Sequence, residues 1–247
     1  VTNMKVGIIG AGSIAGTMAD TIKEMDCAQN YAVAARDYGR AAEFAQKYGF
    51  EKAYGSYEEL VEDAGVELVY IATPHSHHYE HIKLCLNHGK HVLCEKSFTV
   101  NESQAREVLE LAREKKLLLT EAIWTRYMPM RKTLDDVLLS GVIGRPYMLT
   151  ANLGYIISGK ERIMRPELAG GALLDVGIYP LNFASMVFGD EVDSITGTAV
   201  MTETGVDAQN SITITYKDGR MAVLCSSAMG LSDRRGIIYG DNGFIEV

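Results

Sequence analysis

Short runs of consecutive apolar residues recur through the first half of the chain, at 6–9, 31–35, 68–72, 91–94 and 117–120, each followed by a turn signal or a helix cap. Runs that are apolar on both faces read as strands buried within a parallel sheet. Between them, at about 14–25, 39–48, 56–63, 76–88 and 101–115, apolar residues recur at helical spacing. Strand and helix in strict alternation predict a doubly wound parallel sheet over residues 1–121. After Glu121 the pattern changes. Helical spacing remains at about 128–139 and near 175–187. The segments 145–156, 192–204, 209–217, 220–228 and 235–240 instead alternate or are rich in β-formers, with K-D-G and D-N-G turns among them. The fold class is therefore α/β. A second α/β domain over 122–247 is expected to carry an open, mostly antiparallel sheet, one face covered by helices and the other available to substrate or a partner subunit.

Composition narrows the partners. A net charge of −8 and a sequence pI near 5.3 leave no basic stripe to neutralise phosphates, so no nucleic-acid role is expected. No run of roughly 18 apolar residues is free of charge, and V-T-N-M-K enters the first strand directly, without room for a signal peptide. A cytoplasmic chain with no membrane partner is the expectation. Cys27, Cys85, Cys94 and Cys225 lack C-x-x-C spacing and are expected to be small buried hydrophobes in a reducing compartment.

The first strand runs into G-A-G-S-I-A, a G-x-G-x-x-A turn opening a helix. Gly10 permits the tight turn, Gly12 has no side chain to obstruct a pyrophosphate, and Ala15 lets the helix lie close to the sheet. With Ser13 and Ile14 these residues are expected to bind a dinucleotide at the helix N-terminus. Cofactor choice is read at the end of the second strand, A-V-A-A-R-D. An acid there binds the ribose 2′-hydroxyl of NAD, whereas an arginine accommodates the 2′-phosphate of NADP. Arg36 stands in that place and Arg40 adds a second charge, which favours NADP; Asp37, one residue later, is the feature that keeps NAD in view.

All six histidines lie between His75 and His91. His77 and His81 have the i, i+4 spacing of a metal pair, but no third ligand is placed beside them, and no metal is expected. Thr73, Pro74, His75 and His78 are expected to wall the cofactor, with His81, His88 and His91 as ordinary surface or partly buried histidines. The fifth strand ends in Glu95 and Lys96, at the edge where open α/β sheets bind ligands. An ammonium facing that cleft is paired or used. It is suited to hydrogen-bond a substrate hydroxyl, stabilise a developing alkoxide and favour ionisation of a nearby tyrosine.

Taken in order, G-A-G-S-I-A, A-A-R-D, A-T-P-H-S-H-H, H-V-L-C-E-K, E-A-I-W-T-R-Y and G-G-A-L-L-D-V-G-I-Y resemble the Gfo/Idh/MocA oxidoreductase family. The likeness extends over the whole chain and is strongest to the branch of dimeric dihydrodiol dehydrogenases and NADP-dependent D-xylose 1-dehydrogenases. It implies an N-terminal Rossmann domain and a C-terminal α/β domain whose open sheet serves a homodimer or higher homo-oligomer. It also implies that Lys96 is catalytic, that Tyr179, four residues after Asp175, is the acid/base, and that Asp175 orients substrate or the tyrosine. Trp124 and Arg126 fall where this branch lines the nicotinamide and substrate pocket, and Glu95 adjoins the cofactor. Without the resemblance, Asp175 reads equally as a helix cap, Tyr179 as a core aromatic and Trp124 as packing.

The implied reaction is reversible hydride transfer between nicotinamide C4 and a hydroxyl or carbonyl of a cyclic sugar or trans-dihydrodiol, with Tyr179 taking the hydroxyl proton. The alternatives are a keto-sugar reductase of the same family, which would usually carry His at the position of Tyr179, and a non-catalytic NADP-binding sensor or scaffold. Ser97 replaces the proline that usually follows the lysine, a proline suited to a cis or rigid turn. The chain also ends at Val247 where relatives continue, so either the sequence is incomplete or an edge of the second sheet needs cover.

Overall fold

The computed structural model describes residues 3–247, and the chain divides into two units, Val1–Ala122 and Ile123–Val247. In the first unit β1 (Met4–Ile9), β2 (Ala28–Ala34), β3 (Lys52–Tyr54), β4 (Leu68–Ile71), β5 (His91–Cys94) and β6 (Leu119–Glu121) form one sheet in the order β3-β2-β1-β4-β5-β6. Every neighbouring pair is parallel. This is the Rossmann order, whose direction of progression reverses between β1 and β4, and ligands bind beyond the carboxyl ends of strands at such a reversal.

The connecting helices are α1 (Ser13–Lys23), α2 (Tyr38–Tyr48), α3 (Tyr57–Glu62), α4 (His78–Asn87) and α5 (Glu102–Lys115). Ile9, Ala34 and Ile71 are buried with Ile82 and Leu86 of α4 and Val108 of α5, whereas Val6, Ile8 and Tyr70 are buried with Ala15 and Ala19 of α1 and Phe44 of α2. Burial on both faces explains the uninterrupted apolar runs. Two details differ from the sequence pattern. The strand β3 is three residues long, too short to show a period, and β2 starts at Ala28 because polar Asn30 is buried inside it. Asn30 donates to the carbonyl oxygens of Ala19 and Tyr48 at 2.9 and 3.1 Å, tying α1 and α2 to the strand.

The second unit holds α6 (Pro129–Leu139), β7 (Pro146–Gly154), α7 (Ile178–Phe188), β8 (Val192–Met201), β9 (Asp207–Tyr216), β10 (Met221–Ser227), β11 (Gly236–Gly240) and β12 (Gly243–Glu246). Its sheet has the order β12-β11-β7-β10-β9-β8 and is antiparallel except between β7 and β10. Leu149, Leu224 and Ile238 point to one face, fully or almost fully buried with Ala184 and Phe188 of α7. Each such aliphatic side chain contributes roughly 1.5–3 kcal/mol of burial. The alternate residues, among them Met148, Thr150, Val223, Cys225, Ser211 and Thr213, share the other face, and the charged residues of these outer strands, Asp193, Asp207 and Glu246, lie at or next to strand ends.

The helix expected near 175–187 begins at Ile178, preceded by a π-helical turn at Leu173–Gly177. The stretch Pro166–Phe188 is apolar and long enough to cross a membrane by composition alone, but half of its most apolar window is buried against the fold, which is the character of a core helix. Strand β12 was not visible in the sequence pattern. Cys85 and Cys94 are buried as expected, and burial raises both thiols well above their ordinary pKa. Cys27 and Cys225 are exposed, which corrects the expectation of four buried cysteines. Cys27 lies in the turn before β2, and Cys225 alternates outward from buried Leu224.

Candidate active site

At the end of β1 the chain turns at Gly10, where φ is +100° and an added Cβ would stand 3.0 Å from the Ala72 carbonyl oxygen. Only glycine makes this turn without strain. Gly12 is the N-cap of α1, and a Cβ on it would meet nothing within 4 Å. The helix starts without a side-chain cap, so its first-turn N–H groups face open space. Ala15 has no exposed surface and lets α1 lie on the sheet, while Ser13 and Ile14 stay at the exposed rim. Uncapped N–H groups with open ground before them fit a pyrophosphate. Gly12→Val is therefore expected to abolish binding of a nicotinamide dinucleotide, NADH as well as NADPH, in a fluorescence titration while leaving the thermal unfolding temperature unchanged. Normal binding by that variant would remove the pyrophosphate from this turn.

Beyond β2, the Asp37 carboxylate accepts the Arg40 N–H at 2.7 Å and caps α2. The acid is thereby committed to the helix start. Arg40 reaches back across the glycine turn and donates to the Ala11 carbonyl oxygen at 3.1 Å. Arg36 is exposed, and its charge acts on Tyr57 and His81, whose rings meet edge-on at 4.7 Å. Burial, with the neighbouring His77, His78 and Arg36, pushes His81 down to about 4, so it is neutral near pH 7. His81 Nδ1 lies 3.0 Å from the Thr73 hydroxyl, and His88 and His91 are likewise bonded locally, to the Leu84 carbonyl and the Leu118 N–H. Among the described residues no group of three His, Cys, Asp or Glu is gathered around a metal position.

One histidine differs from its expected role. His78 has no exposed surface, with Nδ1 2.7 Å from the Ser97 carbonyl oxygen and Nε2 2.8 Å from that of Thr73. It braces two loops from inside instead of walling a cofactor, because a side chain without exposed surface has none left for a ligand. Burial holds its pKa below the ordinary value, opposed by its backbone hydrogen bonds. His75 is also buried, at 7% exposure. The segment carrying Lys96 is fixed from several sides. Glu95 accepts from the Tyr70 hydroxyl and from the Lys96 N–H, the Phe98 N–H donates to Glu121 at 3.0 Å, and the Lys96–Ser97 peptide bond is cis. Burial raises the Glu95 pKa, and the Tyr70 and Lys96 hydrogen bonds oppose it.

In the second unit a cavity of about 590 Å³ is lined by Trp124, Tyr155, Tyr179, Phe183 and Arg234, among others. Tyr179 lies in the first turn of α7, and its hydroxyl oxygen accepts the Trp124 indole N–H at 3.1 Å. The 3₁₀ turn Trp124–Arg126 is pinned to α7 through Asn182, which accepts from Arg126 Nε at 2.9 Å and donates to the Thr125 hydroxyl at 3.0 Å. Arg126 also donates to Ser185 at 3.3 Å. Arg126, expected to line the pocket, is thus bonded to α7 and holds the turn that carries Trp124. Asp175 is buried in the π turn and its carboxylate accepts from Arg162 at 2.8 Å. Arg162, Tyr155 and Arg234 escaped the sequence reading, since no motif marks them.

Residues 4–123 match the model of an oxidoreductase family with an NAD-binding Rossmann fold, and residues 132–246 match the Gfo/Idh/MocA C-terminal domain. The chain is 40% identical over 248 residues to trans-1,2-dihydrobenzene-1,2-diol dehydrogenase of Mus musculus, covering 99% of this chain and 74% of that protein. The chain belongs to the Gfo/Idh/MocA oxidoreductase family. Within the family, the fold also matches KijD10, a 3-ketoreductase from Actinomadura kijaniata solved with NADP and TDP-benzene, at a TM-score of 0.91 and 28% identity over 97% of this chain and 74% of that one. GenD2 from gentamicin A biosynthesis, solved with NAD, shares the fold at a TM-score of 0.92 and 20% identity over 100% and 72% of the two chains. This family member is an NAD(P)-dependent oxidoreductase.

Proposed function

We propose that this chain transfers hydride between NADP and a secondary or hemiacetal hydroxyl of a cyclic sugar or trans-dihydrodiol, with Tyr179 as acid/base and Lys96 as the assisting cation. The observation that carries the reading is the Tyr179 hydroxyl in a ligand-sized cavity, receiving a hydrogen bond from Trp124. A donor aimed at the phenol oxygen favours the phenolate, the form that removes a proton from a substrate hydroxyl during oxidation. Nicotinamide, when bound, accepts or returns the hydride at C4. Asp175, held by Arg162, keeps the turn before α7 in place. The preference for NADP is supported by Arg36, and by Asp37 being engaged as a helix cap instead of facing a ribose.

The same residues run in reverse reduce a ketone, a direction favoured by the likeness to the 3-ketoreductase. For assembly we propose a homodimer or higher homo-oligomer through the face of the second sheet opposite α7, in the cytoplasm. The function is tested by following NADPH absorbance while aldoses, inositols and trans-dihydrodiols are screened with the purified protein. No turnover with any of them, or a larger kcat/KM with NAD than with NADP, would overturn the assignment. Trp124→Phe removes the donor to Tyr179. In the oxidative direction it is expected to move the acidic limb of the kcat/KM profile to higher pH; an unmoved limb would show that the indole only packs.

A further inference from the structure

The cavity that holds Tyr179 has a second wall that carries Asp233, Arg234 and Arg235. Asn152 of β7 donates from Nδ2 to Asp233 at 2.6 Å and accepts the Arg234 N–H at 3.1 Å, and its own N–H donates to the Arg235 carbonyl at 3.1 Å. Clasped in this way, Arg234 is held at φ +61°, a left-handed conformation that residues with side chains seldom adopt. Its guanidinium lies over the Tyr155 ring, 5.3 Å from the centroid, with Nη1 3.4 Å from the Tyr155 hydroxyl. The neighbouring charges are engaged elsewhere: Asp233 with Asn152, and Arg235 with Glu246 at 3.4 Å. Among the described residues no carboxylate lies within ion-pair distance of Arg234, in a chain with a net charge of −8.

An unpaired arginine on an open surface is ordinary. This one is turned by a clasped, left-handed backbone onto an aromatic platform at the wall of the cavity that contains Tyr179. Packing on Tyr155 fixes the plane of the guanidinium and lowers the rotamer entropy lost when a ligand is bound, and the planar fork matches a carboxylate bidentately. The volume suits one substituted ring, and Trp124, Tyr155 and Phe183 offer apolar faces to it. We propose that Arg234 is a specificity-determining residue that takes an anionic substituent of the cyclic substrate, a carboxylate, so that the pocket selects sugar acids over neutral sugars of the same ring. The inference rests on reading the Tyr179 cavity as the substrate site.

Trp124 is the single tryptophan of the chain, so its fluorescence reports occupancy of this cavity without requiring turnover. The protein is titrated, with and without NADP, with D-glucuronate, D-glucose 6-phosphate and D-glucose. The expected result is at least tenfold tighter binding of glucuronate than of glucose, a difference lost in Arg234→Gly, which suits the left-handed backbone, and partly restored in Arg234→Lys. Glucose 6-phosphate bound more tightly than glucuronate, with the same dependence on Arg234, would support the anion site and make its ligand a phosphate. Equal binding of glucose and glucuronate, no binding of either anion, or an anion preference that survives Arg234→Gly would overturn the proposal. Anion binding that depends on Arg234, with turnover undiminished in Tyr179→Phe, would instead retain this site and refute the role of Tyr179.

Discussion

Tyr179→Phe is expected to lower kcat by between about a hundredfold and ten-thousandfold, the range a positioned acid/base supplies, while NADPH binding changes little. The hydroxyl that accepts the Trp124 N–H is lost, whereas the ring and its place on α7 are kept. Lys96→Met removes a charge of similar leverage from a segment fixed by Glu95, His78 and Glu121, so the backbone should hold its course and the loss should fall on kcat. Steady-state kinetics with an NADPH fluorescence titration separate chemistry from cofactor binding. Turnover within a few-fold of the parent in both variants would dismiss the mechanism. A parallel loss of NADPH binding would make Lys96 a cofactor ligand instead of a participant in proton transfer.

Arg36→Ala carries the next largest expected effect. Hydrogen bonds to a charged group are worth about 1.5–3 kcal/mol, so kcat/KM with NADP should fall about 10- to 150-fold. NAD, lacking the 2′-phosphate, should be affected far less. The ratio of the two efficiencies is the readout. An equal loss with both cofactors would assign Arg36 to the adenine, and no loss with either would remove it from the site.

What was legible in the sequence was what is decided locally. The glycine turn is written in the residues that form it, since the backbone at Gly10 excludes a Cβ and the open ground beside Gly12 follows from having none. Buried parallel strands announce themselves because both faces must be apolar. Side-chain destinations were less accessible. Arg126 and Asn182 are 56 residues apart, and only the docking of the W-T-R turn on α7 reveals the hydrogen bond between them. His78 sits in a motif expected to face a cofactor, and helical spacing alone could not reveal that both ring nitrogens turn inward to backbone oxygens. The Asn152 clasp on Asp233 spans 81 residues and two segments without any motif. Cys225 faces outward only because register with β9 sends Leu224 inward, and register is a property of the assembled sheet.

The cap that Asp37 provides to α2 bears on how this chain is able to drift. An acid just past the second strand is the usual raw material for switching a dinucleotide site toward NAD. Here the carboxylate is already bonded to the Arg40 N–H, and withdrawing it would strip a helix of its N-cap hydrogen bond, on the order of 1 kcal/mol. Mutational routes to a changed cofactor that recruit Asp37 therefore pass through a less stable protein, whereas routes that place a new acid elsewhere do not. Selection acting on foldedness alone would thus keep Asp37 at the helix, with no regard to which nucleotide is bound.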